Sequence, residues 1–175
     1  MKKIGFLWLP ALLAAAVVSC ASTRFSGTAA CAGRVCGPNG APVEQYTVSF
    51  GIGKTTVTGV NGMFVIPDMR AGEYTLTGYG RGWASIKKDV VFTDRRGIVC
   101  IQVDPITSVY KKVESYMRSG LFDQAAQLLK TQANGNGEDA LFQFYQAVVS
   151  YGASPSDKKL KKLAERLNKE CGYVF

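Results

Sequence analysis

The stretch that decides the fold is Thr55–Ile66, which reads TTVTGVNGMFVI. Two runs rich in β-branched and aromatic residues, Thr55–Gly59 and Met63–Ile66, flank the pair Asn61-Gly62. Such residues favour strands, and an Asn-Gly pair accepts the positive φ angles of a two-residue turn. The stretch therefore predicts two strands joined as a hairpin at Asn61-Gly62.

The same pattern extends on both sides of this stretch, from Ala32 to Val103. Runs of Val, Ile, Thr, Tyr and Phe alternate with breaks at Gly, Pro, Asn and Asp, which is typical of a sandwich of short strands. The predicted strands are Gly33–Cys36, Gln45–Gly51, Thr55–Gly59, Met63–Ile66, Glu73–Tyr79, Ile86–Phe92 and Ile98–Val103. We expect them to pair antiparallel, because nothing in this region resembles a βαβ unit.

After Asp104-Pro105 the apolar residues recur at helical spacing. The predicted helices are Ile106–Ser119, Phe122–Gln132, Glu138–Tyr151 and a last one that starts at Ser154-Pro155-Ser156-Asp157 and ends near Cys171-Gly172. In the last helix Ser154 is the expected cap and Pro155 the first helical residue. Between the second and third helices, Asn134–Gly137 predicts a flexible turn.

Several motifs of the β region resemble those of carboxypeptidase regulatory-like domains. They are, in order, Gly33-Arg34-Val35 with Gly40-Ala41-Pro42-Val43, Thr58–Phe64, Ala71–Leu76 with Gly82-Trp83, and the closing runs Val90–Phe92 and Val99–Val103. The resemblance implies a transthyretin-like Greek-key sandwich. The expected fold class is therefore α+β, with a seven-strand antiparallel sandwich over residues 32–104 and a four-helix segment of α-hairpins over residues 105–175. Modules of this family seldom carry active sites, and no peptidase domain accompanies this one.

The first helix pair resembles a tetratricopeptide repeat. Tyr116, Phe122, Ala125 and Leu129 fall where that repeat places aromatic, small and large apolar residues. The chain departs from the repeat where tryptophan, glycine and the terminal proline are expected, and it has room for two repeats at most, whereas arrays usually contain three or more. A plain pair of helical hairpins packed on the sandwich is the alternative.

The beginning of the chain resembles a bacterial lipoprotein signal peptide. Lys2 and Lys3 precede the apolar run Ile4–Val18, and Val17-Val18-Ser19-Cys20 matches a lipobox. The resemblance implies cleavage after residue 19, acylation of Cys20 and a tether over residues 20–31. The run is shorter than the roughly 20 residues that a spanning helix needs. An ordinary secretory signal, cut after Ala21, is the alternative.

The composition argues against nucleic-acid binding and against catalysis that uses histidine. The formal charge is +8, with 21 basic and 13 acidic residues and no histidine. Once the signal lysines are removed, the excess is spread evenly along the chain, so no concentrated basic face for nucleic acid is expected. Without histidine, the commonest general base and metal ligand is missing. We therefore expect a non-enzyme without cofactor or metal. The protein is expected to be anchored in the cell envelope through its lipid, with the outer membrane favoured over the inner one, because Ala21-Ser22 after the cysteine lacks the aspartate that retains some lipoproteins at an inner membrane.

Four cysteines follow Cys20, namely Cys31, Cys36, Cys100 and Cys171. An even number in an exported chain predicts two disulfides, with three possible pairings. In transthyretin-like folds the first and last strands of this kind are neighbours, and alternation places Cys36 and Cys100 on the same outer face. The resemblance thus implies a Cys36–Cys100 bond, while Cys31–Cys36 and bonds to Cys171 stay open.

Two kinds of binding are compatible with these features. The favoured function is binding or scaffolding of other envelope proteins. The alternative is a ligand site for peptide, glycan or peptidoglycan on exposed aromatic residues of the sandwich. Tyr46, Tyr79 and Trp83 are the candidates for it, although packing in the core or at a sheet edge is the favoured interpretation of these three residues.

The last helix carries Lys158, Lys159, Lys161 and Lys162 around a stripe of Leu160, Leu163 and Leu167. A packed helix with solvated lysines is expected, in preference to a helix lying on anionic lipid.

We predict that Cys20→Ser abolishes acylation, because the thiol is the acceptor of the lipid. Metabolic labelling with a fatty-acid analogue should then detect no lipid, and the uncut precursor should accumulate. The control is Cys36→Ser, which should be labelled and processed normally. Normal cleavage and release of the Cys20→Ser protein would contradict the lipoprotein assignment.

Overall fold

The computed structural model describes residue 25, residues 27–155 and residues 157–171. In this part the chain is α+β, as predicted, with two sheets followed by helices. The strands are β1 Thr28–Cys36, β2 Thr47–Ser49, β3 Thr55–Val57, β4 Met63–Arg70, β5 Gly72–Gly80, β6 Trp83–Phe92 and β7 Ile98–Gln102. The helices are α1 Ile106–Arg118, α2 Phe122–Asn136, α3 Ala140–Ala153 and α4 Lys158–Cys171.

The strands form a three-stranded sheet of order β4-β1-β7 and a four-stranded sheet of order β3-β2-β5-β6. Alternation decides which side chains enter the space between them. In β1, Cys31 and Val35 are buried while Arg34 is exposed. Each fully buried large apolar side chain contributes about 1.5–3 kcal/mol, so the sheets are held together mainly by this core. Its buried members include Tyr46, Val48, Phe64, Ile66, Met69, Leu76, Phe92 and Ile101.

The expectation of a wholly antiparallel sandwich is wrong for one pair. β1 pairs antiparallel with β4, but it pairs parallel with β7. Parallel neighbours need a long crossover connection. Here the whole chain between Cys36 and Ile98 serves as that connection, which a pattern of short antiparallel strands does not disclose.

The predicted hairpin at Asn61-Gly62 is also wrong. The turn is tight, with φ of 73° at Gly62, but β3 belongs to the four-stranded sheet and β4 to the three-stranded one. The N–H of Val35 donates to the Gly62 carbonyl at 2.8 Å, and a Cβ at Gly62 would lie 2.4 Å from the Val35 carbonyl oxygen. The turn therefore packs against β1 and carries the chain from one sheet to the other.

Two boundaries differ from those predicted. β1 begins at Thr28, which pairs with Arg70, so the sheet includes residues that had been assigned to the tether ending at residue 31. α4 begins at Lys158, and an Asp157 carboxylate oxygen accepts from the Leu160 N–H at 3.4 Å. Asp157 therefore caps α4 in place of Ser154, because a cap side chain must lie immediately before the first helical turn.

The helices enclose a second core. Its buried residues are Ile106, Tyr110, Val113, Ala125, Leu129, Phe142, Phe144, Tyr145, Ala147 and Val149. The rings of Tyr110 and Tyr145 stack with their centroids 4.5 Å apart. At the start of α3, the Asp139 carboxylate accepts from the N–H groups of Leu141 and Phe142, which satisfies two donors of the first turn.

The β-sandwich and the helices are joined along the outer edge of β6, and this contact region is called the joint below. An edge strand presents unpaired N–H and C=O groups, and α2 satisfies several of them with amide side chains. Asn136 accepts from the Gly82 N–H and donates to the Trp83 carbonyl, both at 2.9 Å. Gln132 accepts from the Ser85 N–H at 2.6 Å. The side chains of Gln132 and Asn136 thus take the place of a neighbouring strand.

Backbone bonds extend the same joint. The Ala84 N–H donates to the Asp104 carbonyl at 2.8 Å, and the Ile106 N–H donates to the Gly82 carbonyl at 2.9 Å. Asn134–Gly137, predicted to be flexible, does interrupt the helical backbone, with φ of 82° at Gly135. Asn136, however, is only 2% exposed. The hydrogen bonds of Asn136 fix this turn in place.

We predict that Asn136→Ala lowers the free energy of unfolding by about 2–4 kcal/mol, because it removes the side-chain partner of the Gly82 N–H and of the Trp83 carbonyl. Urea titration of the folded chain measures the change. The matched control is Asn134→Ala, whose exposed side chain makes no hydrogen bond within the described residues and whose loss should cost less than about 0.5 kcal/mol. Equal effects of the two substitutions would contradict this account of the joint.

Candidate functional site

The predicted lipid attachment site, Cys20, and the signal peptide lie outside the described residues. The described chain starts at Phe25, whose ring meets that of Phe92 edge-on with centroids 5.2 Å apart. The guanidinium of Arg95 lies 4.9 Å from the centre of the same Phe25 ring. Among the helices of the described chain, none combines the length and the apolar character that crossing a membrane requires.

The structure places Cys36 and Cys100 on neighbouring strands, but two residues out of register. Cys100 lies opposite Arg34, and Cys36 lies opposite Gln102. Two steps along a strand and one strand spacing give a diagonal Cα separation of about 8 Å, beyond the roughly 7 Å limit for a disulfide. Both residues are free thiols, and the Cys36 thiol donates to the Ile101 carbonyl at 3.5 Å. The expected Cys36–Cys100 bond is therefore not formed, because register, and not strand order, decides the distance.

Cys31 is fully buried and also free. It points into the core, while Cys36 on the same strand points outward, so these two cannot pair either. Burial raises the pKa of the Cys31 thiol above its usual value, because the thiolate would lose its hydration. Cys171 ends α4, but its side chain lies outside those described. No group of three or more Cys, Asp or Glu side chains within the described chain is placed to hold a metal ion.

The three aromatic residues considered as candidates for a ligand surface have different environments. Tyr46 is fully buried, its hydroxyl donates to the Ala84 carbonyl at 2.8 Å, and burial raises its pKa. Trp83 is half-buried and covers Gly37, where an added Cβ would lie 2.8 Å from the indole ring. Tyr79 alone of the three is exposed. Tyr46 and Trp83 are therefore packing residues, as the favoured interpretation expects, and the alternative of a ligand surface made by all three aromatic residues is wrong as a set.

An apolar groove lies between α2, α3 and α4, with a volume of about 490 Å³. Leu129, Ala147 and Val149 form its buried floor, and Leu160 and Leu163 of α4 form one wall. Leu163 remains 36% exposed. The leucine stripe of α4 is thus incompletely covered by its neighbours. Leu167, the third member of that stripe, has a side chain outside those described.

The charge around this groove is mainly basic. α3 carries no charged residue, and Lys130 of α2 lies exposed at the rim. On α4, the described lysines Lys158, Lys161 and Lys162 are exposed, as expected for solvated positions. Helix α4 as a whole has six basic residues against two acidic ones. The groove therefore combines an apolar floor with a basic surrounding.

The sequence did not identify Gln132 and Asn136 as residues of the joint. In sequence they continue the spacing of the buried Ala125 and Leu129, although the helical backbone is interrupted at Asn134 and Gly135. Amide side chains on the apolar face of a helix are the one signal in the sequence that points to a buried polar contact.

No family model matches the chain, and no curated protein matches it in sequence. Among solved structures it is similar to a chain of a type II cohesin–X-dockerin complex from Acetivibrio cellulolyticus, an N-terminal interface mutant, with 20% identity, a TM-score of 0.37, and coverage of 43% of this chain and 56% of that one. A C-terminal interface mutant of the complex gives 19% identity, a TM-score of 0.33 and the same coverage. The chain spans little more than half the length of these matches, and TM-scores this low define no common fold.

We predict that the described thiols react in the order Cys100, Cys36, Cys31. Cys100 is exposed, Cys36 is partly covered, and Cys31 is buried with a raised pKa. Brief alkylation of the native protein, followed by digestion and mass spectrometry, should label Cys100 first and Cys31 only after unfolding. Labelling of Cys36 and Cys100 that occurs solely after reduction would reveal a disulfide and contradict the register.

Proposed function

We propose that this protein is a non-catalytic, lipid-anchored component of the bacterial cell envelope that binds another envelope protein. The lipobox ending at Cys20 supports export and anchoring, with the outer membrane as the favoured location. The sandwich acts as a carboxypeptidase regulatory-like, transthyretin-like Greek-key module, and the tetratricopeptide-like helices carry the binding surface. The observation that carries the proposal is the open apolar groove between α2, α3 and α4.

The occupant that fits this groove is an amphipathic helix of the partner protein, with acidic residues flanking its apolar face. Helix-in-groove recognition places apolar anchors on an apolar floor. Small residues that line the groove, such as the exposed Ala126 and the buried Ala147, allow a helix to approach closely. The basic surrounding supplied by Lys130 and α4 favours acidic flanks and speeds their encounter with the protein. A lipid surface fits the groove less well, because a concave site cannot lie flat on a bilayer.

We predict that Ala126→Trp blocks this interaction, because the indole ring would fill the groove from an exposed position on α2. The matched control is Gln127→Trp, one residue further along the same helix, exposed and outside the groove. A photo-crosslinking amino acid at Lys130, at the groove rim, measures the interaction in intact cells, with the adduct identified by mass spectrometry.

The expected adduct joins the crosslinking amino acid at position 130 to an acidic amphipathic helix of one protein. Ala126→Trp should reduce the yield of this adduct about tenfold or more, whereas Gln127→Trp should leave it unchanged. The same crosslinking amino acid at Gln143, on the opposite rim of the groove, is the second probe and should give an adduct with the same protein. Adducts exclusively with lipid, or adducts equally insensitive to both tryptophan substitutions, would overturn the proposal.

A further inference from the structure

A second cleft lies at the joint between the sandwich and the helices, with a volume of about 530 Å³. The end of β5 and the β5–β6 turn form one wall, with Tyr79 and Arg81. The α2–α3 turn and the start of α3 form the other, with Glu138 and Asp139. The volume is within the range of about 300–1,000 Å³ that is usual for small-molecule sites.

The two walls are held in fixed positions. Asn136 bonds to both Gly82 and Trp83 of the β5–β6 hairpin. Beside it, Gly135 packs so closely that an added Cβ would lie 3.1 Å from the backbone of Gly80. Because these contacts already join the walls in the free protein, a ligand need not close the cleft, and less ordering entropy opposes binding.

The walls carry opposite charges that do not neutralise each other. Within the described chain, Arg81 and Glu138 take part in no ion pair or side-chain hydrogen bond. One oxygen of Asp139 accepts two N–H groups of the first turn of α3, whereas neither oxygen of Glu138 has a partner within the described chain. Tyr79 adds an exposed ring, and its hydroxyl likewise has no partner in the described part of the chain.

We propose that this cleft binds a short peptide with a free carboxylate, held by Arg81, and a free ammonium group, held by Glu138. Guanidinium and carboxylate match as a two-pronged hydrogen-bonded pair, and an ammonium group offers three donors to a carboxylate. A ligand with one positive and one negative end can pair with Arg81 and Glu138 at the same time. A neutral glycan can stack on Tyr79 but leaves the two opposed charges without counter-charges.

The test is calorimetric titration of the full-length protein in detergent with di-, tri- and tetra-alanine, because the peptide length that spans the two charges sets the best fit. Each peptide is compared with its N-acetylated and C-amidated forms, and chitotriose is the neutral glycan probe. At least one unblocked peptide should bind, and blocking either end should weaken it about tenfold, as expected for partly solvated charge contacts.

Two variants assign the contacts. Arg81→Gln should remove the preference for a free carboxylate while keeping that for a free amine, and Glu138→Gln should do the reverse. The matched controls are Arg70→Gln and Glu73→Gln, exposed charges away from the cleft, which should change neither preference. All four variants should melt like the parent, because none of these side chains has a hydrogen-bond or ion-pair partner among the described residues.

The inference is overturned if no unblocked peptide binds, if blocked peptides bind equally well, or if chitotriose binding is lost in the same two variants. Ala126→Trp should leave peptide binding unchanged. A negative result for binding of a partner helix in the groove can therefore be distinguished from a negative result for peptide binding in this cleft.

Discussion

The amide side chains of Gln132 and Asn136 are the contacts on which the arrangement of this protein depends. They satisfy backbone groups of Gly82 in the β5–β6 turn and of Trp83 and Ser85 in β6, which would otherwise form a bare sheet edge. An amide is suited to this position because it donates and accepts at once, as a peptide group does. Since both residues lie in the last part of α2, the same contacts fix the helix, the turn after it and the start of α3 relative to the sandwich.

This joint also positions both proposed binding sites. Ala133, between Gln132 and Asn136 in sequence, lines the groove as well as the cleft. Phe25, where the described chain starts, packs on Phe92 at the other end of β6, about 30 Å away for a ten-residue strand. Phe25 and the joint therefore lie at opposite ends of β6.

The number and approximate positions of the strands and helices follow from local chemistry. β-branched and aromatic runs mark the strands, and the 3.6-residue period marks the helices. Pairing does not follow in the same way. Thr55–Ile66 contains two strands and a tight turn, yet Gly62 bonds to Val35 of β1, and a turn signal cannot report which distant strand its carbonyl will meet. Cys36 and Cys100 illustrate the same point, because alternation gives their face, whereas only the β1–β7 register gives their distance.

The sequence by itself determined the α+β class, the seven strands, the four helices and the scarcity of catalytic groups, since these depend on residue type and on spacing along the chain. Tertiary structure alone decided the parallel β1–β7 pair, the free thiols of the described cysteines, the burial of Tyr46, the groove between the helices and the cleft at the joint. Each of these depends on groups far apart in sequence, such as Asn136 and Gly82. The spacing of Asn136 after the buried residues of α2 can suggest a buried amide, but it cannot reveal that the partner is Gly82, which lies 54 residues away in sequence.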